Sequence, residues 1–249
     1  SDKYGRAFID NDKCVSCGMC MVNCPFGAIS DKSQIFQLAR ALSQGEEIIA
    51  ETAPAFVGQF GPNITPRNIK AALRVLGFSE VYEVALGADI GAIAEAHHYV
   101  EKVVTGELPF LLTSCCPSWA VMAKKFFPDV IDEISQELTP MVATARTIKK
   151  EHPDAKVVFI GPCAAKKLEA SRRSVRSDVD FVVTFEEMQA MFDAKGIDLS
   201  SYEAESSFHD ATGAGRGYGC AGGVAAAIEK CINEYYPDVQ VNVEHAEGL

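Results

Sequence analysis

Apolar residues fall along this chain in two alternating patterns, short continuous runs and longer stretches with the spacing of one helix face. Ile48-Ile49-Ala50 enters a strand that leads into Glu51-Thr52-Ala53-Pro54-Ala55, and Val81–Leu86, Pro109–Leu112, Lys156–Ile160, Asp180–Thr184 and Val239–His245 read as further strands. Helices are expected between them. Gln34–Ser43 stops at Gly45. Thr65 caps the next, with Pro66 at its first position, Ile69, Ala72, Leu73 and Leu76 on one face and Gly77 as its stop. Ala88–Val104 and Val224–Tyr235 are two more, and Thr184 with Glu187 makes a capping box for Phe185–Lys195, which ends at Gly196. Strand, helix, strand at this spacing implies parallel pairing with right-handed crossovers. The expected class is α/β, parallel sheets flanked by helices in two similar halves, with a small separate module at the N-terminus.

Composition narrows the picture. A chain of 249 residues, 48% of them hydrophobic, can bury a sizeable core, and its length suits one large or two smaller domains. A formal net charge of −11 disfavours nucleic acid or an anionic membrane surface as partner, and no apolar run approaches membrane-spanning length. The nine cysteines lie in a tight cluster and at strand ends, a distribution that points to metal binding in a reducing, cytoplasmic setting with oxygen-sensitive cofactors.

The cluster is Cys14-x2-Cys17-x2-Cys20-x3-Cys24-Pro25, the bacterial ferredoxin run, in which thiolates wrap one 4Fe–4S cube and the cysteine before proline ligates a neighbouring cube. Only one such run is present. Cys14, Cys17 and Cys20 therefore need a fourth ligand, and since only thirteen residues precede Cys14, a second run is expected upstream. A lone cube closed by all four cysteines is the strained alternative. The expected division is an iron–sulfur module at 1–31, a linker helix at 32–46 and the main domain at 47–249.

Two strand ends carry the remaining chemistry. Pro109–Leu112 runs into Thr113-Ser114-Cys115-Cys116-Pro117-Ser118-Trp119, and Lys156–Ile160 runs into Gly161-Pro162-Cys163-Ala164-Ala165-Lys166-Lys167-Leu168-Glu169. Adjacent cysteines point in different directions, so one can ligate metal while its neighbour faces a cavity as an acid or base. Ligands collect at strand carboxyl ends in open α/β sheets, which lets both Cys-Pro turns face one site. Two buried cysteines beside turn prolines would explain either motif alone, but not both together.

These two motifs, in this order after a ferredoxin run, resemble the first two active-site signatures of the iron-only (FeFe) hydrogenases. The resemblance implies that Cys116 and Cys163 bind the 4Fe–4S part of the active-site cluster, and that Cys115 hands protons to its diiron part. It implies that Lys166 hydrogen-bonds a cyanide ligand, that Glu169 holds Lys166, and that Ala53, Pro54 and Tyr218 line the diiron pocket. On spacing alone Glu95, His97 and His98 are solvated helix charges. Aligned without gaps, Glu95 falls on the inner carboxylate and Ser135 on the serine of the family's proton path, while His98 stands where an outer carboxylate would be. Met141 replaces a common glutamine and Gly161 a common methionine, which suggests a divergent branch.

The glycine-rich stretch 211–224 lacks the Lys-Ser/Thr ending of a phosphate loop. It also fails as a third signature, since Arg216 stands four residues before Cys220. The chain ends at Leu249, where the family continues into that signature. A fragment or half of a split enzyme is expected, in which this chain by itself cannot complete the cluster. The implied activity of the intact protein is reversible reduction of protons to dihydrogen, with ferredoxin and maturation proteins as partners. A hydrogenase-like sensor, an iron–sulfur assembly protein or a mere electron carrier are the alternatives.

Overall fold

The computed structural model describes residues 3–113, 115–208 and 211–244. Ser114, within the first Cys-Pro signature, and His245, at the end of the last expected strand, lie outside them. After a one-turn helix, α1 (Met19–Val22), and α2 (Ile35–Ser43), the chain alternates strand and helix: β1 (Ile48–Thr52), α3 (Pro66–Leu76), β2 (Glu80–Glu83), α4 (Ala85–Tyr99). The second half runs α5 (Pro117–Phe126), α6 (Pro140–Glu151), β3 (Lys156–Gly161), α7 (Ala165–Ala170), β4 (Phe181–Thr184), α8 (Phe185–Lys195), α9 (Gly213–Gly217) and α10 (Gly223–Tyr235).

The four strands form a single parallel sheet in the order β2-β1-β3-β4. Each half contributes two strands, which meet where β1 pairs β3 with Ala50 opposite Val158. Every residue of β1 is buried, because helices cover both faces of a parallel sheet. The core gathers Ile48, Ile49, Val158 and Ile160 from the central strands with Leu73 from α3, Ile148 from α6 and Phe192 from α8. Both expected caps form. Thr65 Oγ1 accepts from Asn68 N–H while Asn68 Oδ1 accepts from Thr65 N–H, and Thr184 and Glu187 make the same reciprocal pair. Gly77 and Gly196 end their helices in the left-handed region.

Two expected strands do not form. Pro109–Leu112 makes a single parallel bridge, Leu112 to Ile134, and Phe110 is exposed. Its backbone partners, Glu133 O and Ser135 N, belong to a loop, so the ladder stops after one residue. The described part of Val239–His245 joins no ladder either; Val239 and Val241 pack on the α4–α10 pair as side chains instead. The helix expected from Ala88 begins at Ala85, takes the end of the strand expected at Val81–Leu86, and widens into a π turn at Val100–Val104.

Candidate functional site

In this strand order winding reverses between β1 and β3, and that switch point is where ligands bind in open α/β folds. β1 ends into Ala53-Pro54 and β3 into Pro162-Cys163, so the two turns leave the sheet side by side. A cavity of about 220 Å³ opens above them. Its walls include Ala53, Pro54, Met141, Phe159 and Tyr218, and Cys115, Cys116, Cys163 and Lys166 open onto it. Ala53, Pro54 and Tyr218, the three expected at the diiron pocket, all line this cavity. Pro117 starts α5 directly after the cysteine pair, where proline has no amide hydrogen to lose and a φ already suited to a helix.

Lys166 is buried and faces the cavity from α7. Its ammonium donates to Glu169 Oε2 at 2.7 Å and to Cys115 O at 3.2 Å, and Thr139 Oγ1 donates to Glu169 Oε1 at 2.9 Å. A buried charge needs a partner in this way, and the pair fixes the ammonium beside the thiols.

Glu95 is buried on α4, unlike His97, which is exposed and contacts the Tyr236 hydroxyl. The Ser135 hydroxyl hydrogen-bonds the Glu95 carboxyl, while Glu95 Oε2 has no partner among the described residues. Burial pushes Glu95 up to about 7, against that hydrogen bond, with the Glu137 charge raising it further. Burial also pushes the Cys115 thiol up; Lys166 opposes this, and the charges of Cys116 and Glu95 add to it. Tyr218 is raised by burial, then by Glu95 and Cys115. Thus Cys115, Glu95 and Ser135, far apart in sequence, form one electrostatically coupled series.

The N-terminal cysteines form a second site. Cys14, Cys17 and Cys20 line a cavity of about 550 Å³, whose far wall is Ala164, Lys167 and Leu168. Cys24 is not among its lining residues. Cys14 Sγ accepts from Ser16 N–H and Cys24 Sγ from Ala28 N–H, each at 3.4 Å. Backbone donors at Ala28 and then Phe26 lower the Cys24 thiol. Residues 163–169 separate the two cavities, with Cys163 and Lys166 turned to one and Ala164, Lys167 and Leu168 to the other. Lys167 bonds Asp31 and Glu187, and Lys125 of α5 donates to Asn11 O and Cys14 O. The module is thus tied to both helices that follow the signature cysteines.

Both donor sets suit iron–sulfur clusters. Soft thiolates gather on two cavities, one walled by apolar side chains with a fixed cation, the other with the Ser16 amide aimed at Cys14 Sγ. Among the described residues no three His, Cys, Asp or Glu side chains close on a single metal ion. A cube of four irons holds its thiolates farther apart than one ion does. Cys116 and Cys163 would ligate in the sheet site, and Cys14, Cys17 and Cys20 in the module.

Sequence reasoning missed three features. Glu51 is wholly buried in β1 with neither carboxyl oxygen partnered among the described residues, and burial pushes it well above the usual carboxylate range. A charge inside a run of strand apolars was the available signal. Glu83, buried at the end of β2, takes a two-point bond from Arg216 at 2.8 and 2.6 Å, which pins the glycine-rich stretch to the sheet. Phe159 fills the place of a side chain at Gly161, where a Cβ would stand 2.4 Å from its ring. The glycine stretch itself is a close-packing device, since a Cβ at Gly215 would stand 2.3 Å from Ala85 O of α4. Of the other cysteines, Cys220 is exposed and Cys231 half-buried against the α4–α10 cluster.

Residues 46–248 match the family model for the iron-only hydrogenase large subunit, C-terminal domain, and residues 7–30 match a 4Fe-4S binding domain. Iron hydrogenase 1 of Clostridium pasteurianum is 31% identical over 242 residues, 87% of this chain and 42% of that protein. The chain therefore spans less than half the length of that relative. The cytosolic Fe-S cluster assembly factor NAR1 of Kluyveromyces lactis is 36% identical over 105 residues, 42% of this chain and 22% of its own length. The solved structure of an apo FeFe-hydrogenase variant from Chlamydomonas reinhardtii superposes with a TM-score of 0.67 at 26% identity, covering 88% of this chain and 63% of that one.

Proposed function

Since this chain belongs to the iron-only hydrogenase large-subunit family, we propose that the intact protein reversibly reduces protons to dihydrogen. Its cofactors are 4Fe–4S clusters and the diiron active-site cluster of that family. One observation carries the reading: a coupled series from Ser135 through Glu95 to Cys115 reaches a cavity lined by thiols and a buried lysine. When bound, the diiron cluster supplies electrons and the site of hydrogen–hydrogen bond formation. Cys116 and Cys163 would hold iron, in a cavity whose walls are largely apolar. Thiol, carboxyl and hydroxyl can each give and accept a proton, which a relay requires. The Lys166 ammonium, braced by Glu169, offers a hydrogen bond to an anionic ligand at the mouth of the cavity.

Ferredoxin is the electron partner in this reading, supported by a thiol-lined module that abuts the Cys163 turn. Maturation proteins install the cluster, and the setting is cytoplasmic, supported by nine free thiols. No helix among the described residues is long and apolar enough to cross a membrane. The second reading is iron–sulfur assembly, which the similarity to a cluster-assembly factor favours. The two part at the proton series, for which a scaffold has no use. The test is hydrogen production by the matured, full-length protein, with infrared detection of iron-bound carbon monoxide and cyanide. Both signals support the enzyme; intact cubes with neither signal favour assembly.

A further inference from the structure

We propose that Glu137 is the solvent-side end of the proton series, so that protons enter through Glu137 and Ser135. This deepens the hydrogenase reading and rests on it. Glu95 and Ser135 are both buried, so the series needs a group that meets solvent. Glu137 is exposed, and it lines, with Ser135, a second cavity of about 240 Å³ that shares Pro117 with the thiol-lined one. That volume accommodates several waters. The Glu137 N–H donates to Ser135 Oγ at 3.2 Å, which holds the hydroxyl as an acceptor at the cavity wall. The Glu137 charge is also felt at Glu95. Among the described residues, Glu137 and Glu169 are the acids that line this cavity. Glu169 lines the same cavity but is committed to Lys166 and Thr139, while His97 is turned to Tyr236. Lys124 and Arg172 also line the cavity.

In each transfer a proton taken up by the Glu137 carboxylate passes, directly or through one water, to Ser135 Oγ. The proton already on Ser135 moves to the Glu95 carboxylate, and the hydroxyl is restored. Glu137 ends as a carboxylate and Glu95 as a carboxylic acid, so charge and atoms balance. Of Cys115, Tyr218 and Glu137, the described titratable groups electrostatically linked to Glu95, Glu137 is exposed and the other two are half-buried.

Two measurements test this. In the full chain without cluster, the protonated carboxyl stretch of Glu95, identified by its loss in Glu95→Gln, is titrated by infrared spectroscopy. A midpoint near 7 is expected, shifted down in Glu137→Gln because a like charge is gone; an unmoved midpoint overturns the link. In the matured protein, Glu137→Gln should lower hydrogen production about 10²-fold, the low end for a lost proton-transfer group. Glu137→Asp should restore most of it, with the pH profile displaced and the cluster's paramagnetic signals unchanged. Wild-type rates in Glu137→Gln, with Glu95→Gln inactive, would overturn the exit but leave the hydrogenase reading standing. No turnover in the unmodified protein would sink that reading, while the titration still reports on the link.

Discussion

The two thiol-lined cavities of this molecule are built in opposite ways. The one at the β1–β3 switch point rests on a sheet whose central strand is wholly buried, and its ligating turns are held by helices packed on that sheet. The N-terminal one has no such support. Its single helical turn, α1, buries no residue, and Tyr4, Phe8, Val22 and Phe26 are exposed. A segment this small cannot offset its own conformational entropy by apolar burial, so its order must come from the metal it binds and from ties such as Lys125. The difference teaches that a cluster decorates the first site and is the core of the second.

The largest effects expected from this contrast follow ligand loss. Cys116→Ala should abolish the active-site cube yet leave the thermal unfolding of the sheet domain almost unchanged, whereas Cys17→Ala should lose the module's cube and its order together. Hydrogen exchange of both variants reads the outcome, and a module as protected in Cys17→Ala as in the parent protein would break the contrast. Cys115→Ala, beside a ligand but not one, should instead keep the paramagnetic signals and lose about 10²–10⁴-fold in turnover. Disappearance of the cube in that variant would show that the thiol binds iron.

Smaller effects sharpen the same comparison. Lys125→Ala removes two bonds to the module, at Asn11 O and Cys14 O, and should loosen residues 10–17 by about 1 kcal/mol per bond, read as faster exchange there and nowhere in the sheet. Smallest of all, Glu51→Gln should stabilise the sheet domain at neutral pH. The Glu51 pKa is raised in the folded state from 4.5, so its protonated form is the one folding favours. That stability is complete below about pH 4.5 and declines as pH rises toward the raised value. The gain from Gln should vanish in acid, and an equal gain at pH 4 and pH 8 would show that titration is not its cause. Each kcal/mol recovered is worth about 2–4 °C in Tm for a domain of this size.

Much of the fold was legible because its signals are local. Thr65 with Pro66 and Thr184 with Glu187 announce helix starts that depend only on residues within one turn. The central strands were legible as unbroken apolar runs. Pro109–Leu112 and Val239–His245 carried equally good runs but found no ladder in the described residues, since strand formation depends on a partner that the run itself does not specify. The site was legible in its motifs: Cys116, Cys163, Lys166 and Glu169 stand in two short stretches whose spacing states their company. Glu51, Glu137 and Phe159 were not, because what matters at each is its burial or the cavity it reaches, and these depend on distant segments.

By itself, then, the sequence determined the alternating α/β class, the helix caps, the ferredoxin spacing of Cys14, Cys17, Cys20 and Cys24, and the two Cys-Pro turns. Each is a matter of periodicity or of contacts within a few residues. Only the tertiary structure decided that the turns flank one switch point, that Glu95 is buried rather than solvated, and that Ser135 and Glu137 line one cavity. Burial and electrostatic coupling depend on which distant segments pack together, and a carboxylate 40 residues from its hydroxyl partner acquires a pKa near 7 only when that packing excludes water from both.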